Sequence, residues 1–234
     1  MDSISTSTHY SESTIAAEQQ RFMVRVYNWM TLGLAVTGFV AYSVATTPEL
    51  VAVVANPWIL FPLIIAQLGL VFWLATRVMQ MSAMQAQAVF LAYSALTGVT
   101  LSFVFLAYTT ASLTSTFFVT AGTFGAMSFY GYTTKRDLTS MGSFLTMGLM
   151  GIIIASVVNM FMQSTMLYWL VTYAGVLIFV GLTAYDTQKI KEMNILGNEG
   201  TEEDTKEAVR GALSLYLDFI NLFLMLLRIM GQRR

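Results

Sequence analysis

GALSLYLDFINLFLMLLRIMG, residues 211–231, is the stretch on which the fold turns. It is long enough to cross a hydrocarbon core of roughly 30 Å at about 1.5 Å per residue. Yet it carries Asp218 and Arg228. Ser214, Asp218, Asn221 and Arg228 follow one another at steps of four, three and seven. At about 100° per residue all four lie on one face, with Gly211 at its edge. The opposite face is Leu, Phe and Ile. A polar stripe facing lipid would leave its groups unsatisfied, at several kcal/mol. The pattern therefore predicts a helix inside a bundle, its stripe turned toward partners.

Immediately upstream, GLTAYDTQKI (181–190) closes another apolar run with Asp186. Consecutive spans are antiparallel, so Asp186 and Asp218 fall in the same half of the membrane and meet if their helices are neighbours. Two carboxyls in contact in a low dielectric cannot both ionise cheaply, and such a pair can share one proton. Protonated, it ties two helices by a hydrogen bond. Deprotonated, it repels and offers oxygen ligands of the kind Ca²⁺ takes. Asp186 alone has a plainer reading, as an interfacial acid beside Lys189. Arg77, at the end of the second span, is the candidate cation for the pair, or else an ordinary interfacial anchor.

Charge-free runs mark six further spans, at about 28–47, 57–76, 84–107, 114–133, 143–162 and 167–187, with the last at about 210–230. The expected class is an all-α polytopic membrane protein, a seven-helix bundle with the C-terminal helix at its centre. Residues 1–25 are expected to be a flexible tail, 26–231 the membrane domain and 232–234 a C-terminal tail. Arg21 and Arg25 precede the first span, Arg77 follows the second, Lys135 and Arg136 the fourth, and Lys189 to Arg210 the sixth, while the intervening links have no Lys or Arg. This alternation predicts a cytoplasmic N-terminus. Arg233 and Arg234 break it, so the last segment is read as a full span with a re-entrant segment as the other option. The link from Lys189 to Arg210 reads as a solvated, mobile loop. The glycines at 122, 125, 148, 151, 175 and 181 read as helix-packing positions.

Composition excludes several classes. Of 234 residues 11% are charged and 56% hydrophobic, with mean hydropathy +0.65, where soluble domains carry about 25% charge. A net charge of −1 gives no basic bias toward nucleic acid. Without cysteine there are no disulfides, thiolate metal sites or cysteine nucleophiles. The single histidine, His9, sits in the polar N-terminal stretch, which lacks the features of a signal peptide.

SALTGVTLS (94–102), YGYTTKRDL (130–138), GLTAYDTQKI (181–190) and residues 211–231 together resemble the bacterial branch of the Bax inhibitor family, from about Tyr27 to Gly231. The resemblance implies seven helices around a central last helix, and a pH-sensitive Ca²⁺ leak gated by a paired-aspartate sensor. Those aspartates fall on Asp186 and Asp218, which would also be the Ca²⁺ ligands. It implies an arginine near the end of the second span that engages the pair, although FWLATR places Arg77 slightly beyond that position. No cofactor is required beyond the transported Ca²⁺. The expected surroundings are the bilayer of a bacterial inner membrane, with a membrane-bound protease or other membrane protein as partner. Two rival functions stand beside the leak. One is a non-conducting regulator of other membrane proteins. The other is an intramembrane aspartyl protease, disfavoured because Leu215-Tyr216-Leu217-Asp218 replaces the Gly-X-Gly-Asp step and a Pro-Ala-Leu motif is missing.

Overall fold

A computed structural model describes residues 12–234. His9 and the first part of the expected tail lie outside them. The described residues form eight α-helices: α1 Glu12–Thr46, α2 Pro48–Val54, α3 Pro57–Arg77, α4 Ala83–Ala107, α5 Thr110–Thr133, α6 Thr139–Met162, α7 Thr165–Met193 and α8 Glu202–Met230. The links are short and built from capping residues. Asn56 accepts from the Trp58 amide, Ser82 and Gln85 form a reciprocal box, and Thr109, Ser164 and Thr201 each cap the helix that follows. After α6 the chain turns through Gln163, whose φ of 50° is left-handed.

Six of these helices, all but α2 and α5, are long and apolar enough to cross a membrane. α5 is 24 residues long and uncharged but rich in Ser and Thr. It lies along α7 and α8, and its ends match theirs. At one end Thr109 N donates to Gln232 O at 3.0 Å and Gln232 N to Ser112 Oγ at 2.9 Å. At the other end Gln188 on α7 bridges the α5–α6 link, donating to Arg136 O and accepting from Leu138 N, both at 2.8 Å.

The surface is apolar and the interior partly hydroxylic, as suits lipid. Trp58 and Phe161 are more than four-fifths exposed, while Thr116, Thr120, Thr172, Thr183 and Thr187 are buried. Most of these hydroxyls bond the carbonyl one turn back, such as Thr183 to Phe179 O at 2.7 Å and Thr120 to Thr116 O at 2.7 Å. α8 is the most enclosed of the six apolar helices, with 44% of its apolar window buried against 33% or less elsewhere. Tyr216 is its largest fully buried side chain. The ring meets Phe90 and Tyr93 edge-on, and its hydroxyl lies 2.7 Å from Thr37 Oγ1.

Three expectations change. The first helix begins well before the expected span, because α1 is helical from Glu12 and already buries Phe22 and Met23. The charges that resembled a tail are paired: Arg21 with Glu199 at 2.7 Å, Arg25 with Asp204 at 2.9 Å. The same contacts pin the α7–α8 link, expected to be mobile. Gly197 N donates to Glu18 at 2.7 Å, and Glu202 accepts from Ala83 N at 2.8 Å at the start of α4. Residues 232–234 are not a free tail, since Arg234 N donates to Ala107 O at 3.0 Å.

The hydrogen bonds and charge of Arg21, with Arg25 behind it, hold the Glu199 carboxyl below its ordinary value of 4.5. A depressed carboxylate stabilises above its unfolded pKa and loses that contribution as pH falls through the folded one. The Arg21–Glu199 pair therefore stays charged at neutral and mildly acidic pH.

Close helix approach depends on three of the expected glycines and on others that were not expected. Gly131 on α5 lies against the Ala184 carbonyl of α7, Gly142 against the Tyr185 ring, and Gly98 against the Thr37 carbonyl. Gly148, Gly175 and Gly181 pack as expected, on Ile178, Met225 and Leu145. Around Gly122, Gly125 and Gly151 there is open space. Gly131→Ala is expected to lower the thermal midpoint in detergent by several degrees, because its methyl meets backbone that cannot yield. Gly151→Ala should leave the midpoint unchanged or raise it slightly, since Ala is the better helix former.

Candidate functional site

α7 and α8 pack closely along their length, bringing together the two acids that the sequence singled out. Ser214 Oγ, one turn before Asp218, donates to Asp186 Oδ2 at 2.5 Å. Both carboxyls line one cavity, and Ser214, which bonds Asp186, lies one turn from Asp218 on α8. Asp218 is buried and Asp186 half-buried. Among the described residues Asp218 Oδ2 is buried and has no hydrogen-bond partner. If both ionised about 4 Å apart, they would repel by about 4 kcal/mol at an effective dielectric near 20.

The pair stands at one end of a cavity of about 850 Å³ between α6, α7 and α8. The α8 stripe forms one wall: Ser214, Asp218, Asn221 and Arg228 all line it, over about 21 Å of helix. Asn221 bonds back to Leu217 O at 2.8 Å. The Arg228 guanidinium lies over the Tyr168 ring at 5.4 Å. A smaller cavity of about 210 Å³ shares Asp186, Lys189 and Ser214 with the first and continues toward Arg210. A third of about 600 Å³ shares Asn159, Tyr168 and Arg228 and opens toward Arg233. The three succeed one another along α8, with the Asp186–Ser214–Asp218 contact between the first two.

Arg77 does not join the pair. It is exposed at the end of α3 and donates to Gln80 Oε1 at 2.6 Å. The cation acting on Asp186 is Lys189, whose ammonium lies over the Tyr185 ring at 5.6 Å. The far half of the cavity is lined by Ser156, Asn159 and Tyr168, outside the polar stripe that the sequence announces. Asn159 was findable as the one amide in the apolar run of α6, although its carbonyl also caps the turn by accepting from Ser164 N at 2.9 Å. Tyr168 carries no signal of its own, because an aromatic near a span end is ordinary.

The described residues contain no group of three or more His, Cys, Asp or Glu side chains suited to hold a metal ion. Ca²⁺ takes six to eight oxygens. Deprotonated, the pair and Ser214 supply part of such a shell and water must supply the rest.

The sequence matches, over residues 19–234, the family model described as inhibitor of apoptosis-promoting Bax1. The chain belongs to the Bax inhibitor family. Among its relatives is the Escherichia coli inner membrane protein YbhL, 54% identical over 92% of this chain and 93% of that one. An uncharacterized protein of Borreliella burgdorferi is 48% identical over 92% and 94%. An uncharacterized membrane protein of Streptococcus pyogenes is 37% identical over 95% and 96%. This member of the Bax inhibitor family thus aligns with them along nearly its whole length.

Proposed function

We propose that this chain is a Ca²⁺ leak pathway of the bacterial inner membrane, gated by protonation of the Asp186–Asp218 pair. The observation that carries this reading is the run of cavities along the polar stripe of α8, interrupted at the pair. Loss of the shared proton replaces a hydrogen bond between α7 and α8 by repulsion and exposes carboxylate oxygens to a passing cation. No enzymatic step and no cofactor enter this mechanism.

The reading takes α5 as a seventh span, supported by its lack of charge and its shared ends with α7 and α8. Nine of the twelve Lys and Arg residues lie at the end of the bundle that holds the start of α1 and the α7–α8 link. By the positive-inside rule that end is cytoplasmic, and the C-terminus is outside. The name of the Escherichia coli relative supports the inner membrane as location.

A second reading is favoured by one observation. Arg228, a cation, stands in the far half of the cavity and opposes cation passage. In that reading the aspartates hold the fold, and the protein regulates another membrane protein, such as a membrane-bound protease.

The cysteine-free chain offers a direct test. Single cysteines at Ser140 and Gln163 should react with an impermeant thiol reagent from inside and outside respectively. A cysteine at Asn221 should react with a small charged reagent, and the reaction should block flux. An unreactive position 221 in folded protein, or full flux after its modification, would contradict a path along α8.

A further inference from the structure

The open space around Gly125 belongs to a groove between α1 and α5. The groove has a volume of about 390 Å³ and is lined by Met23, Tyr27 and Met30 of α1 and by Phe124, Phe129 and Tyr132 of α5. A Cβ at Gly125 would meet nothing within 4 Å. The polar members of its lining are Gln20 and Ser128, besides the two tyrosines. Along α1 it runs from Gln20 to Met30, about 15 Å of helix, half of a hydrocarbon core of roughly 30 Å. It is therefore one leaflet deep, in the half of the bundle that holds most of the Lys and Arg residues.

Its polar rim is basic. Lys191 of α7 donates to Tyr132 O at 3.0 Å, and its ammonium lies 4.9 Å over the Tyr132 ring. Lys135 and Arg136 follow Tyr132 within four residues and are exposed. The acids around this rim are largely engaged. Asp137 accepts from Thr139 N at 2.8 Å, and Glu18 from Gly197 N. Glu192 is exposed, one residue and so about 100° round the helix from Lys191. Arg21 and Arg25 on the α1 side are committed to Glu199 and Asp204. An apolar slot one leaflet deep beneath cations that have no carboxylate partner among the described residues fits a phospholipid with a negative headgroup.

We propose that this groove binds one acyl chain of an anionic phospholipid, with its phosphate at Lys191 and Lys135. The proposal rests on the chain's standing in a bilayer and not on conduction. An inverted orientation would leave the binding unchanged and would appear only in the cysteine labelling.

The test is native mass spectrometry and thermal unfolding of the purified full chain, titrated with phosphatidylglycerol or phosphatidylcholine. Wild type should retain phosphatidylglycerol preferentially and melt higher with it. Gly125→Phe places a ring in the open slot. It should fold at least as well, because glycine is the poorer helix former, and should lose the bound lipid. Lys191→Gln, which can still donate to Tyr132 O, should weaken phosphatidylglycerol about fivefold, the worth of one surface cation, and leave phosphatidylcholine unchanged. Equal retention of the two lipids by wild type would overturn the proposal, as would undiminished phosphatidylglycerol on Gly125→Phe. Loss of a dimer in Gly125→Phe without any lipid change would overturn it too, assigning the groove to a second copy of the chain.

Discussion

Asp218→Asn, in folded protein reconstituted into vesicles, is expected to flatten the pH dependence of Ca²⁺ flux and hold it at the wild-type acid level. The asparagine amide donates toward Asp186 as a protonated carboxyl does, and it has no proton to lose in the accessible range. In the wild type, ionising the second carboxyl costs up to about 4 kcal/mol of repulsion at an effective dielectric near 20. At 1.36 kcal/mol per factor of ten, that biases the closed and open arrangements by as much as roughly a thousandfold. Asp186→Asn should behave nearly alike, since its amide oxygen still accepts from Ser214 while the titrating neighbour is gone. If the pair served only the fold, both variants would be less stable and the remaining flux would keep its wild-type pH profile. Correct insertion, checked by monodispersity and labelling at Ser140, separates the two outcomes.

Tyr216→Ala is the substitution expected to cost most in stability. The ring is fully buried on the central helix, in edge contact with Phe90 and Tyr93. Removing a buried aromatic ring costs about 3–5 kcal/mol because the surroundings only partly collapse into the space. Tyr216→Phe keeps the packing and removes one hydroxyl. Its partner, Thr37 Oγ1, retains its bond to Ser94 O at 2.8 Å, so the loss should be about 1 kcal/mol. Thermal unfolding in one detergent should rank wild type first, Phe close behind and Ala far below. Equal losses for Phe and Ala would show that the hydroxyl, and not the packed ring, carries the position.

What was legible in the sequence follows the physics of lipid. Asp218 amid Leu, Phe and Ile has one inexpensive location, the bundle interior, and its stripe partners follow from helical periodicity. Asp186 could be placed at the same depth because consecutive spans alternate in direction. The remainder depended on contacts that no local pattern announces. Arg21 and Arg25 look like tail charges, yet they are held by Glu199 and Asp204, more than 170 residues away. The Lys189–Arg210 link looks mobile for the same reason. Arg77 lies beyond the expected position, and in this arrangement it turns to Gln80 at the end of α3. Spacing cannot tell a glycine that lets helices touch, such as Gly131, from one that lines a groove, such as Gly125. The Ser/Thr content of α5 lowers its hydropathy without giving it a charge, so its charge-free run reads as a span although its composition falls short of the six helices apolar enough to cross a membrane.

The central claim is that this chain alone forms the path for Ca²⁺. The most direct measurement is Ca²⁺ flux in proteoliposomes containing only the purified protein, across pH, against protein-free vesicles. The account predicts flux above the empty-vesicle rate that changes with pH and is lost when a cysteine at Asn221 is modified. Flux equal to that of protein-free vesicles at every pH, from protein shown to be folded and inserted, would contradict it and leave the regulator of another membrane protein as the reading to pursue.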